Sequence, residues 1–200
     1  MKPFSQSCVD NLAPIRTVLR QLLRGRQCLL EIGSGTGQHA AALAGEFPTL
    51  LWQTSDCAPY HAGIRAWLAE APANALPPLA LDVGQGPWPV TPNSMDAVFS
   101  ANTAHIMSWP EVEAMFEGVG QVLVDQGLFA LYGPFNYRGR YTTEGNARFD
   151  QWLKARDPAS GIRDRDAVNA LAEGQGLRLY RDFAMPANNR MLVWLRRQEQ

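Results

Sequence analysis

A doubly wound α/β fold, with a mostly parallel sheet and helices on both faces, is predicted from three observations. Short apolar runs alternate with helix-period segments between residues 28 and 132. Such alternation needs crossover connections, which cover a parallel sheet on both sides. The first run, Cys28 to Ile32, passes into a turn with glycines at 33, 35 and 37 and then into an alanine- and leucine-rich stretch. That reads as strand, tight turn and helix. The last two runs, Leu177 to Met185 and Met191 to Arg196, are joined by the short Pro186 to Asn189 segment. This connection is too short for a crossover, so the two runs read as an antiparallel pair at one edge.

The elements follow in order. Leu12, Ile15, Val18, Leu19, Leu22 and Leu23 repeat at helical spacing, with Asn11 as a cap, Pro14 in the first turn and Gly25 at the stop. The first strand is Cys28 to Ile32, and its helix runs from about Gly37 to Ala44. Leu50 to Ser55 is the second strand, ending at Asp56, and Pro59 opens the next helix. Leu79 to Val83 reads as a third strand and Met95 to Ala101 as a fourth. Pro110 opens a helix with Val112, Met115, Phe116, Val119 and Leu123 facing inward. Gly127 to Tyr132 is the fifth strand. Residues 133–165 break the rhythm and read as an insertion, with one helix near Ala147 to Lys154. A helix near Asp166 to Glu173 precedes the terminal pair. Two hundred residues suit one domain, 1–200, with a helical segment at 1–26.

Composition narrows the function. A hydrophobic fraction of 46% fits a globular core, and a net charge of -1 with 18% charged residues argues against a nucleic-acid partner. The three cysteines form no CxxC pair or ligand cluster, so no metal is expected, and an odd count fits a reducing cytosol. The N-terminus has no apolar signal core, and no run approaches the ~20 apolar residues of a membrane span. A cytoplasmic protein with no membrane partner is expected; the oligomeric state stays open.

The glycine turn selects among cofactors. Gly33 and Gly35 fit the first two positions of G-x-G-x-x-G, but Gln38 stands at the third. The pattern is instead E-x-G-x-G-x-G, with Glu31 just before the turn. An acid there disfavours a pyrophosphate and suits a ligand with a cationic amino-acid end. This weakens an NAD(P)-dependent oxidoreductase, and the Gly-Lys-Ser/Thr ending of a P-loop is absent.

These features resemble the Rossmann-like, S-adenosylmethionine-dependent methyltransferases. The resemblance implies a seven-stranded sheet, with the terminal hairpin supplying the extra strand, and S-adenosylmethionine as cofactor. It implies that Asp56 binds the ribose hydroxyls, with Cys57 beside it, and that Asp82 and Val83 lie against the adenine. Glu31, Gly33, Ser34, Gly35 and Gly37 would hold the methionine end, with Ala101 and Asn102 of SANTAHIM alongside. The phrases SQSCVDNLAPIRTVL, YGPFNYRGRYTTEGNARFD, DPASGIRD and MPANNRMLVWLRR are similar to the methyltransferase-like 26 family. Asp10 departs from the arginine that many of those relatives carry, so no anion-binding role is assigned there.

The methyl acceptor is less legible. A small molecule attacking through O, S or N is expected, because no Asn-Pro-Pro-Tyr motif follows strand four. His105 is a candidate base or substrate contact, or else a loop histidine supporting the pocket; Tyr132 is a second catalytic candidate. Asn136, Tyr137, Arg140 and Tyr141 form an aromatic and polar cluster that suits substrate contacts or a packed surface loop. Arg140, Arg148 and Arg163 could hold an anion or pair with Glu144, Asp150 and Asp164. His39 is read as a helix-start or cofactor-side residue, and His61 as solvent-facing. With no compelling base, a catalytically silent cofactor- or partner-binding module is the alternative.

Overall fold

A computed structural model describes residues 2–198. Seven strands form one path in the order β3-β2-β1-β4-β5-β8-β7. They are β1 Cys28–Ile32, β2 Leu51–Asp56, β3 Ala75–Ala80, β4 Met95–Ala101, β5 Leu123–Asn136, β7 Leu177–Ala184 and β8 Asn189–Arg196. The first five are mutually parallel, while β8 runs antiparallel to both β5 and β7. A two-residue strand the sequence did not announce, β6 Arg163–Asp164, pairs with the end of β5. The doubly wound fold with an antiparallel C-terminal hairpin is as expected.

Two cores flank the sheet. On one face α1 (Gln6–Leu22) and α2 (Gln38–Leu43) pack over Leu29, Trp52, Phe99 and Val193. On the other, α4 (Trp109–Val122) and α6 (Arg165–Gly174) cover Leu30, Val98, Phe129 and Trp194. Strands buried on both faces need the near-continuous apolar runs that the sequence carries. Phe116, Phe129 and Trp194 meet with centroids 5.3 to 5.6 Å apart, two pairs edge-on and one stacked. Ser108 and Glu111 cap α4 reciprocally, which fixes where the chain turns after β4.

Three boundaries differ for physical reasons. α1 begins at Gln6, so Asn11 is not its cap and Pro14 lies inside it. The proline forfeits one backbone bond, and burial of Ile15, Val18 and Leu19 offsets the loss. β3 occupies Ala75–Ala80 rather than Leu79 to Val83. Pro77 and Pro78 are tolerated because β3 is an edge strand with a bulge, its register to β2 shifting between Gln53 and Ser55. β5 extends to Asn136, and Arg138 and Gly139, both at positive φ, close a tight hairpin between Tyr137 and Arg140. The helices α3 (His61–Leu68) and α5 (Glu144–Arg156) complete the fold. No described helix is long and apolar enough to cross a membrane.

Candidate functional site

Strand order reverses between β1 and β4, and at that switch the C-terminal strand ends leave a crevice. A cavity of about 520 Å³ lies there. Gly33, Ser34, Gly35 and Thr36 of the glycine turn line it, whereas Gly37 lies outside the lining, packed against Ile64. Gly33, Gly35 and Gly37 all have positive φ, at 68°, 58° and 87°. Gly33 is required because a Cβ would lie 2.5 Å from the Thr103 methyl group, and Gly37 because one would lie 3.0 Å from the Ile64 backbone. At Gly35 nothing stands within 4 Å of the Cβ position, so the chain there leaves a cradle open to a ligand.

Four acids among the described residues line this cavity, Asp56, Asp82, Glu111 and Asp157. Asp56 accepts from the Gly35 and Cys57 backbone N–H groups, each at 2.7 Å. Burial pushes its carboxyl up, while those two bonds act the other way. Each oxygen keeps a lone pair for a further donor. Asp82 accepts from Gly84 N at 3.0 Å and lines the cavity with Val83 and Cys57. Ala101 and Asn102 close the β4 side. Asn102 adopts φ 59°, and its N–H donates to the Tyr132 carbonyl at 2.9 Å. Asparagine tolerates that left-handed conformation.

Glu31 lies beneath the turn rather than in the cavity lining. It is 2% exposed and accepts from Trp52 Nε1 and Ser34 Oγ, both at 3.0 Å. Burial pushes its carboxyl up to about 7 against those two bonds. Its place suits fixing Ser34, which does line the cavity.

The acceptor-side candidates are scattered. His105 is 6% exposed, meets Phe149 edge-on at 5.4 Å, and does not line the cavity. Burial, then the nearby Arg163 charge, pulls it down to about 4, so it is neutral at pH 7. The Tyr132 hydroxyl donates to Asn11 Oδ1 at 2.7 Å. Asn136, Tyr137, Arg140 and Tyr141 do not line the cavity. Asn136 Nδ2 donates to the Ile162 carbonyl at 3.5 Å, Tyr137 donates to Asp182, and Tyr141 donates to the buried Asp150. Arg140 closes the hairpin through its backbone. Asp150 pairs with Lys154, Arg148 lies 3.7 Å from Glu144, and Asp164 caps α6. The Arg163 guanidinium donates to the carbonyls of Ala104, Met107 and Ala159. His61 is half-buried, bonded to the Asp56 carbonyl at 2.9 Å, rather than solvent-facing.

Sequence reasoning missed one whole wall. Ser5, Ser7 and Cys8 line the cavity. Gln38 clamps this N-terminal strap: its Oε1 accepts from Ser5 N at 2.6 Å and its Nε2 donates to Ser5 O at 3.3 Å. Trp67 Nε1 donates to the Pro3 carbonyl at 2.6 Å. The phrase around Ser5 to Asn11 was the available signal, though nothing in its chemistry announced a wall. His39 also lines the cavity, is 6% exposed, and is held neutral by burial, down to about 4. Among the described residues no His, Cys, Asp and Glu group could hold a metal ion.

The fold has many solved neighbours. An O-methyltransferase family protein from Burkholderia thailandensis superposes with a TM-score of 0.81 at 13% identity, over 97% of this chain and 58% of that one. Human N-acetylserotonin methyltransferase, solved with SAM, gives 0.79 at 13% identity, over 96% and 53%. An O-methyltransferase family 2 protein from Planctomyces limnophilus, solved with apigenin, gives 0.74 at 15% identity, over 86% and 51%. The chain thus spans little more than half the length of these neighbours, and shares their fold. A family model described as "Protein of unknown function (DUF938)" matches residues 2–196, and the chain belongs to that family.

Proposed function

We propose that this protein is an S-adenosylmethionine-dependent methyltransferase acting on a small-molecule O, S or N nucleophile. One observation carries the reading: Asp56, Asp82 and the glycine turn open on one cavity, in the order that a nucleoside with an amino-acid tail requires. The SAM-bound human neighbour and the other methyltransferases of the same fold support it.

Asp56 has lone pairs to accept two ribose hydroxyls, and Asp82 to accept an adenine amino group. Val83 and Cys57 flank the base. Gly33, Ser34 and Gly35 would hold the methionine end, with Ala101 and Asn102 beside it. Bound S-adenosylmethionine supplies a methyl group on a cationic sulfur. Among the described residues no lysine or arginine lines the cavity to repel that charge. The strap excludes water, and positioning with desolvation does much of the work. Tyr132 and His105 position the walls, and Asn136, Tyr137, Arg140 and Tyr141 brace the insertion.

Isothermal titration with S-adenosylmethionine and S-adenosylhomocysteine tests this. Both are expected to bind, with Asp56→Asn about tenfold weaker through loss of charge-assisted hydrogen bonds. Folded protein that binds neither ligand overturns the reading.

A further inference from the structure

We propose that Asp157 selects the methyl acceptor, and that the acceptor is a small molecule carrying a positively charged amine. The inference rests on the methyltransferase reading and deepens it.

The cofactor walls follow strand order: Asp82 after β3, Asp56 ending β2, the glycine turn after β1, and Ala101 ending β4. The next position in that series is the β5 side, which carries the insertion 133–165. Of that insertion, Asp157 is the one described residue lining the cavity. It follows α5 directly and is exposed. Its loop is stapled to the segment after β4. Ser160 Oγ donates to the Ile106 carbonyl at 2.7 Å, and Gly161 N donates to the His105 carbonyl at 2.9 Å. The loop that carries Asp157 is therefore held to the segment after β4, and Asp157, Ile106 and Met107 line the same cavity.

The charge balance gives the acceptor's class. Among the described residues Asp56, Asp82, Glu111 and Asp157 line the cavity, with no lysine or arginine. Asp56 and Asp82 are taken by the nucleoside, and Glu111 accepts from Ser108 N at 2.6 Å in the α4 cap. Asp157 Oδ1 accepts only a local bond from Ala159 N at 2.9 Å. An anionic acceptor would meet these carboxylates with no counter-charge from the protein lining. A cationic one meets Asp157, with apolar Ile106 and Met107 for its body. A second observation points to a ligand in this cavity: His39 lines it beside the Cys8 backbone, and its buried Nε2 lacks a hydrogen-bond partner, which a ligand N–H could satisfy.

The test uses three matched phenols at saturating S-adenosylhomocysteine: tyramine, 4-ethylphenol and 4-hydroxyphenylacetate, followed by ligand-observed NMR. Tyramine should bind at least about threefold more tightly than 4-ethylphenol, with 4-hydroxyphenylacetate weakest. Asp157→Asn keeps the local turn to Ala159 and should bring the three within about twofold. A melting curve checks that the variant folds. Equal binding of the anion and the cation, binding of none of the three, or an unchanged ranking in Asp157→Asn overturns the proposal. S-adenosylhomocysteine binding without charge preference defeats this inference alone. Charge preference without S-adenosylhomocysteine binding defeats the methyltransferase reading and, with it, the assignment of the cation to a methyl acceptor, leaving only a cation site at Asp157.

Discussion

The Tyr132 hydroxyl donates to Asn11 Oδ1 across 2.7 Å, joining β5 to α1 over 121 residues of chain. Tyr132 is 1% exposed, and burial pushes its hydroxyl up to about 12. It is thus a permanent donor at neutral pH, and its geometry anchors the helix that carries Ser7 and Cys8 into the cavity. Tyr132→Phe leaves the half-buried Asn11 oxygen without this donor and should cost about 1 kcal/mol in urea unfolding. Asn11→Ala in the same background should add little beyond its own packing loss, which a double-mutant cycle reads directly. S-adenosylhomocysteine affinity should change less than about threefold; a loss of a hundredfold would make Tyr132 a ligand contact.

Glu31 should give the protein a distinctive pH response. Its carboxyl moves from 4.5 to about 7 on folding, so between those values the folded state holds a proton that the unfolded chain has released. Stability from this group therefore falls as pH rises through that window, by a few kcal/mol at most. His39 and His105 act oppositely. Both drop from 6.5 to about 4, so their contribution is lost as pH falls below 6.5. Glu31→Gln should gain stability relative to the parent between pH 5 and pH 7.5. Denaturant curves showing a pH-independent difference would refute this account.

Two neighbouring glycines should fail differently. At Gly37 a methyl group meets the Ile64 backbone at 3.0 Å in a left-handed conformation. Gly37→Ala should lose about 3 kcal/mol. Gly35→Ala pays about 1 kcal/mol for its φ alone, but puts a methyl group into the cradle. Its larger defect should appear in S-adenosylhomocysteine titration, at tenfold or more.

Gln38 holds the strap through both its amide atoms. Gln38→Ala should raise hydrogen exchange in residues 2–12 and speed S-adenosylhomocysteine dissociation about tenfold, matching the loss of two hydrogen bonds. Unchanged dissociation with raised exchange would uncouple the strap from the ligand.

The parallel sheet was legible because its strands are local apolar runs: β1 and β4 have the boundaries that their sequences suggest, and Asp56, ending β2, lines the cavity, as does Asp82, two residues past the observed end of β3. What local pattern could not carry was pairing at a distance. Pro77 and Pro78 argue against a strand until β3 is known to be an edge. Asn11 is a good cap by type, yet its oxygen is taken by Tyr132. Tyr137 and Tyr141 read equally as substrate contacts or as a packed surface loop, and local pattern does not show that their hydroxyls donate to Asp182 and Asp150. The Ser5 to Cys8 wall had no periodicity to announce it, since its place depends on Gln38 and Trp67.

The paired prolines of β3 have a consequence for the molecule among its copies. A terminal strand presents backbone donors to any passing chain and invites sheet-to-sheet growth. Pro77 and Pro78 have no N–H to offer, and the bulge beside them breaks the straight register that an incoming strand would need. The fold thereby closes the end of its sheet that leads to Asp82 without a helix to cover it.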